Sequence, residues 1–284
     1  MQALAAVDGW NVPHAAVAVT TRDGVQATHG EVDRGFRIAS VTKLLLAYAA
    51  MVAVEEGALE LDEPAGPEGS TVRHLLSHTA GYGFEDGAEV AFPPGARRVY
   101  SNRGYAELGQ HLEAATDLPV EVYLREAVVE PLGMADTELR GSPAHAVWST
   151  AEDLAAFARE LLAPSLLAPS TAAEMVTVHF PGLDGVLPGV ARFEPLDWGL
   201  GFERNFARPG HWAGGRVSPD TYGHFGGAGT FLWVDPQAGA AAVYLGDRAF
   251  DRWALEAWPA LSDAILAEIA TMRVAASDSG AATT

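Results

Sequence analysis

A serine and a lysine stand one helical turn apart at the head of an apolar run. Residues 44–54 read Leu-Leu-Leu-Ala-Tyr-Ala-Ala-Met-Val-Ala-Val, and Ser40-Val41-Thr42-Lys43 lies directly before them. The run is too long for an ordinary strand and too short to cross a bilayer. Its positions are apolar nearly all round, which predicts a buried helix. Gly57 closes it after Glu55-Glu56. Such a helix needs cover on every side. A chain of 284 residues, 49% of them hydrophobic, can supply it in one compact unit or two interlocked lobes. Residues three apart share a helical face, so Ser40 and Lys43 meet at the positive end of this helix.

That meeting has a chemical reading. A serine hydroxyl needs a base to become a nucleophile. Burial disfavours the charged form of lysine and makes its amine a base. Free N–H groups at the helix start can hold an oxyanion. The alternative is a serine N-cap followed by a solvent-facing lysine, and four residues alone do not choose between the two.

Charge narrows the partners. Eighteen Lys+Arg stand against 37 Asp+Glu, giving a formal charge of −19. Nucleic acid and anionic membrane are therefore excluded as expected partners. There is no cysteine, hence no disulfide, thiolate metal site or cysteine nucleophile. The first residues lack the basic and apolar regions of a secretory signal. A cytoplasmic location is the expectation, unless a leader has been removed. The Ala-, Gly- and Pro-rich acidic composition is of the kind GC-rich bacterial genomes encode.

Strand signals come at both ends of the chain and helical signals in the middle. Residues 15–21 and 25–28 flank Asp23-Gly24, a hairpin signal. Short helices are expected at 71–78 and 164–178, and longer ones at 105–115 and 120–129. Thr150-Ala151-Glu152-Asp153 reads as a capping box opening a helix through Leu162. Residues 181–195 are rich in Pro and Gly and read as a loop. Strands are expected at 199–203, 222–225, 230–234 and 240–245. A closing helix spans about 251–273, with Trp253, Leu255, Trp258, Leu261 and Ile265 facing inward. The predicted fold is α+β, an antiparallel sheet built from both chain ends with an inserted helical lobe. One domain covers 1–273, with a sheet lobe of about 1–62 and 198–273 and a helical lobe of about 63–197. Residues 274–284 are expected to be a disordered tail.

Two further segments carry chemistry. Tyr100-Ser101-Asn102 offers a phenol that can carry a proton beside an amine, and an amide with both donor and acceptor. Gly223-His224-Phe225-Gly226-Gly227-Ala228-Gly229 offers a histidine beside glycines that let backbone approach a ligand. A loop tyrosine and a glycine-rich bend are the alternative readings of each.

Together, Ser40-x-x-Lys43, Tyr100-x-Asn102 and His224-x-Gly226 resemble the three motifs of the serine β-lactamase and penicillin-binding-protein superfamily. The likeness is to its class C branch, which includes esterases, D-aminopeptidases and D-Ala-D-Ala carboxypeptidases. Flanking blocks extend it: Phe36-Arg37-Ile38-Ala39 before Ser40, His74-Leu75-Leu76-Ser77-His78-Thr79-Ala80-Gly81, and Trp198-Gly199-Leu200-Gly201. The resemblance implies that Ser40 is acylated and that Lys43 and Tyr100 exchange its proton. It implies that Asn102 orients Lys43 and substrate, and that His224 and Gly226 contact substrate. Backbone N–H groups of Ser40 and Gly227 would form the oxyanion hole. No cofactor or metal is implied.

The departures shape the expected substrate. His224-Phe225-Gly226 stands where many β-lactamases have Lys-Thr-Gly, so the cation that grips a carboxylate is missing. A small-molecule ester or amide is expected first, a peptide second and a β-lactam third. A slowly deacylating binding or sensor protein is the alternative. Gly246-Asp247-Arg248 leaves Arg248 either binding a carboxylate or serving solubility. His145 is expected to line the pocket or cap a loop. His74 and His78 have zinc-ligand spacing but no third ligand in sequence, so a structural role is expected. His179 and His211 are expected at the surface or pocket rim.

Overall fold

The computed structural model describes residues 1–204 and 210–281, the last six of these as backbone only. A five-stranded antiparallel sheet joins the two ends of the chain, as the strand signals predict. Strands β1 (Ala15–Thr21) and β2 (Gly24–Gly30) form the first hairpin. Strands β9 (Tyr222–Gly226), β10 (Thr230–Asp235) and β11 (Ala240–Gly246) complete the order β2-β1-β11-β10-β9. β1 pairs with β11, so Val17 faces Tyr244 across the junction.

Alternation along β1 divides the core. Ala16 and Ala18 join one apolar cluster, and Val17 and Val19 the other, because successive side chains leave opposite faces. The inner cluster holds helix α1 (Thr42–Glu55), in which every residue from Thr42 to Met51 is buried. Around α1 lie α2 (Val72–Leu76), α3 (Asn102–Thr116), α4 (Val120–Leu124) and α6 (Pro169–Val176). The outer face is covered by helix α7 (Arg252–Ala281) and by the 3₁₀ turn Ala3–Gly9.

Helix α5 (Ala151–Leu162) departs from the expected lobes. It lies within 63–197, yet it packs on the inner face of the sheet against β1, β10 and β11. Ala151, Ala155 and Ala158 are fully buried on it, and small side chains allow close approach to strands. Thr150 caps it by accepting from Asp153 N. Asp153 does not complete the expected box. Its carboxylate accepts from Asp136 N and Thr137 Oγ1 instead.

Two small sheets bring distant segments together. β3 (Phe36–Arg37) pairs with β6 (Val147–Ser149), which pairs with β5 (Glu138–Leu139). β4 (Arg98–Val99) pairs in parallel with β7 (Gly185–Leu187), which turns back into β8 (Ala191–Phe193). The stretch 181–195 is thus a hairpin rather than a plain loop, with Pro188-Gly189 at its turn and φ +76° at Gly189. Residues 199–203 contribute isolated bridges from Glu203, not the expected strand. Leu255 is 39% exposed, while Trp258, Leu261 and Ile265 are buried. α7 continues to Ala281, beyond the expected start of a disordered tail at 274, because lengthening a helix already formed adds hydrogen bonds without a new nucleation cost. Residues 282–284 lie outside the described residues.

Candidate active site

Ser40 sits in the 3₁₀ turn Ala39–Val41 that leads into α1. Ala39 has φ +47°, a left-handed conformation for a residue with a Cβ, which stores strain held by its surroundings. Those surroundings are specific. Ile38 N donates to Val147 O at 3.0 Å, and Thr230 Oγ1 donates to Ile38 O at 2.8 Å. A Cβ on Gly226 would lie 2.5 Å from Ile38 O. Glycine is needed there because the edge strand β9 runs directly against the serine turn.

One turn on, Lys43 is fully buried. Its Nζ donates to Asn102 Oδ1 at 2.7 Å and to Ala144 O at 2.8 Å, and lies 3.5 Å from Ser40 Oγ. Burial holds its pKa well below the ordinary lysine value, and the Asp86 charge opposes that only in part. The amine also lies 4.7 Å from the centre of the Tyr100 ring.

Tyr100 follows β4. Its N–H donates to Val186 O at 3.2 Å, and its side chain is buried. The phenol oxygen makes no hydrogen bond of ordinary geometry among the described residues. Burial raises its pKa, while the nearby Ser40 hydroxyl pulls it down. Its ring packs on His78 at 4.5 Å and on His224 at 5.3 Å. Ser101 caps α3 by accepting from Gly104 N and donates to Gly83 O. This places Asn102 in the first turn, with its N–H on Phe84 O at 2.7 Å.

His224 comes from β9 and is 2% exposed. Burial, aided by Lys43, lowers its pKa to about 4, with Glu203 and the Phe225 carbonyl opposing. Ser40, Tyr100, His224 and Gly227 line one cavity of about 210 Å³. Phe84, Leu187, Val190, Phe225 and Phe250 supply apolar walls. Phe84 comes from the segment 82–90, and Leu187 and Val190 from the segment 181–195. Gly227 has open space where a Cβ would stand, and its carbonyl accepts from Phe250 N.

Two contributors were not expected at the site. The Ala144 carbonyl is backbone, which no motif marks. His78 reads as structural by its segment, yet its ring stacks on Tyr100 and its Nδ1 accepts from Ser101 N at 3.1 Å. Arg98 is buried within a cage of carbonyls from Ser77, Leu196, His179 and Phe180. Burial lowers its pKa to about 10.

Other candidates go elsewhere. His74 pairs with Thr71 at the start of α2. Among the described residues no cluster of three or more His, Asp or Glu side chains is placed to hold a metal. Arg248 donates to Trp10 O at 2.7 Å and stacks on Trp253, tying the chain's first turn to α7 rather than facing the cavity. His179 and His211 are buried, not at the surface, since His179 meets Glu174 and Arg73 and His211 meets Glu203. His145 bridges Arg37 and Asp86 at 3.1 and 3.0 Å.

The profile of the family described as Beta-lactamase matches residues 2–264. The chain belongs to the beta-lactamase family. A beta-lactamase from Mycobacterium bovis has a crystal structure similar to this one, with TM-score 0.92 and 51% identity over 94% of this chain and 99% of that one. EstCE1, described as a hydrolase with promiscuous acyltransferase activity, shares the fold at TM-score 0.74 and 20% identity, over 92% of this chain and 99% of its own. Among curated proteins, Esterase EstB of Burkholderia gladioli is 31% identical over 43% of this chain and 46% of its own. Monacolin J acid methylbutanoyltransferase of Aspergillus terreus is 31% identical over 37% and 38%. The matches span less than half the length of these curated relatives. As a beta-lactamase family member with esterase and acyltransferase relatives, the chain is a serine hydrolase with the α+β beta-lactamase-like fold.

Proposed function

We propose that this beta-lactamase family member hydrolyses a small, uncharged ester or amide through an acyl-enzyme on Ser40. The observation that carries the reading is the setting of Lys43. A neutral amine has two N–H groups and one lone pair. Asn102 Oδ1 and Ala144 O take the two N–H groups. The lone pair is left for Ser40 Oγ, 3.5 Å away. Ser40 Oγ attacks the carbonyl carbon as its proton passes to Lys43. The Tyr100 phenol, beside both groups, relays that proton to the departing alcohol or amine. The oxyanion is held by the backbone N–H groups of Ser40 and Gly227, each worth about 3–4 kcal/mol in the transition state. Water then attacks the acyl carbon, gives a proton back through Tyr100 and Lys43, and frees Ser40.

The apolar cavity supports an ester before a peptide. Among the described residues no lysine or arginine lines it, so a substrate carboxylate finds no cationic partner among them. The names of the esterase and acyltransferase relatives agree with this order. The test is turnover of p-nitrophenyl butyrate together with labelling by a fluorophosphonate. Adduct on Ser40, and loss of both signals in Ser40→Ala, are expected. Equal turnover by Ser40→Ala would end the reading.

A further inference from the structure

Tyr100 follows strand β4, and the two edges of this extended segment are held by different means. The N–H groups of Arg98 and Tyr100 leave one edge and reach Asp184 O and Val186 O, at 3.0 and 3.2 Å. Successive N–H groups of an extended chain leave opposite edges, so Val99 and Ser101 need acceptors on the other side. His78 supplies both. Its carbonyl accepts from Val99 N at 3.0 Å, and its Nδ1 accepts from Ser101 N at 3.1 Å. One residue does there what a neighbouring strand would do.

The same ring touches the tyrosine between those two amides. It is buried and packs on Tyr100 with ring centres 4.5 Å apart, and Tyr105 and Trp198 close it in at 5.0 and 5.1 Å. His78 follows helix α2 and has φ +59°, a conformation that glycine or asparagine usually supplies after a helix. A histidine held there against that preference points to a use for its side chain. Nδ1 accepts an N–H, so it keeps its lone pair and the ring is neutral. Burial first, then the charges of Lys43, His224 and Arg98, hold its pKa well below the usual histidine value.

We infer that His78 is the positioning residue for Tyr100, holding the phenol where it hands a proton to the leaving group. This rests on the acyl-enzyme reading above. In that step the Ser40 proton, taken by Lys43, passes through Tyr100 to the departing oxygen as its bond to the acyl carbon breaks. An alkoxide is too basic to leave without that proton. A p-nitrophenolate is stable without it. A misplaced Tyr100 therefore slows alkyl esters and largely spares aryl esters, whereas a loosened site or a weakened Lys43 base slows both.

The experiment measures kcat/KM for ethyl butyrate and p-nitrophenyl butyrate, which share one acyl group. The aryl-to-alkyl ratio should rise about 10–100-fold in His78→Leu and His78→Gly, the effect of a misplaced group. Tyr100→Phe should raise it at least as far. His78→Asn should keep it near the wild-type value, because its Oδ1 can stand in for Nδ1 and asparagine accepts a left-handed backbone. Fluorophosphonate labelling identifies the variants whose Ser40 and Lys43 remain competent. A labelled Leu or Gly variant with an unchanged ratio overturns the assignment. So does an Asn variant that fails to label or shows the ratio of Tyr100→Phe. A wild type that does not label at Ser40, or a Tyr100→Phe ratio equal to the wild type's, strikes the acyl-enzyme reading instead.

Discussion

Lys43 Nζ lies 2.7 Å from Asn102 Oδ1, and this contact joins the first motif to the second. An amide oxygen accepts from the amine without holding it charged. Asn102→Asp would put a carboxylate in that place and favour the ammonium. The base would then be protonated at neutral pH. We expect kcat/KM for p-nitrophenyl butyrate to fall about 10²–10⁴-fold, and its rise with pH to move to higher pH. In the wild type that rise should be complete well below the ordinary lysine pKa. A wild-type rate still climbing between pH 9 and 11 would contradict the lowered pKa of Lys43.

His224 also links stability to pH. The unfolded chain takes up this proton near 6.5, the folded one only near 4. The contribution is therefore present above pH 6.5 and is lost as pH falls toward 4, amounting to roughly 3 kcal/mol over that window. His78, also buried and lowered, adds the same sign. His224→Gln should flatten the fall in the urea midpoint between pH 7 and 4. A fall as steep as in the wild type would remove His224 as a cause.

Arg98 fastens the Tyr100 strand to the loops on either side. Arg98→Met leaves several buried carbonyls without a donor, each at about 1–3 kcal/mol, so the melting temperature should drop by roughly 10 °C. Calorimetry checks this. A drop below about 2 °C would mean that water or a rearranged loop replaces the guanidinium.

The bridge Arg37–His145–Asp86 ties together the strand before Ser40, the segment whose Ala144 holds Lys43, and the loop whose Phe84 walls the cavity. His145→Ala should lower kcat roughly tenfold through misplacement of that carbonyl, with KM nearly unchanged. Asp86→Asn should also shift the pH rise of kcat/KM downward, because Asp86 opposes the lowering of the Lys43 pKa. An unchanged pH profile in Asp86→Asn would separate Asp86 from the base.

The candidate residues legible in the sequence are those proposed to act through their side chains. Ser40, Lys43, Tyr100, Asn102 and His224 sit in short motifs, and the structure brings all five together. The hairpin at 185–193 was not legible, because three-residue strands leave no period to read. α5 was placed with the helices by its caps, and only its small buried alanines explain why it lies on the sheet. Arg248 reads as a free cation until its Trp10 and Trp253 partners are in place. The Ala144 carbonyl and the closeness of Gly226 to Ile38 are backbone facts, fixed by tertiary contacts far apart in sequence.

The burial of Lys43, Tyr100 and His224 has a consequence for ionic strength. Burial drives each of these groups toward its uncharged form, so the resting cavity carries little charge of its own inside a chain of net −19. A neutral ester should meet this enzyme at the same kcat/KM from about 0.01 M to 1 M salt, while the Debye length shrinks from roughly 30 Å to 3 Å. An anionic substrate should be repelled at the low end and react faster as salt rises. The slope of rate against salt thus reports the charge of whatever this site accepts.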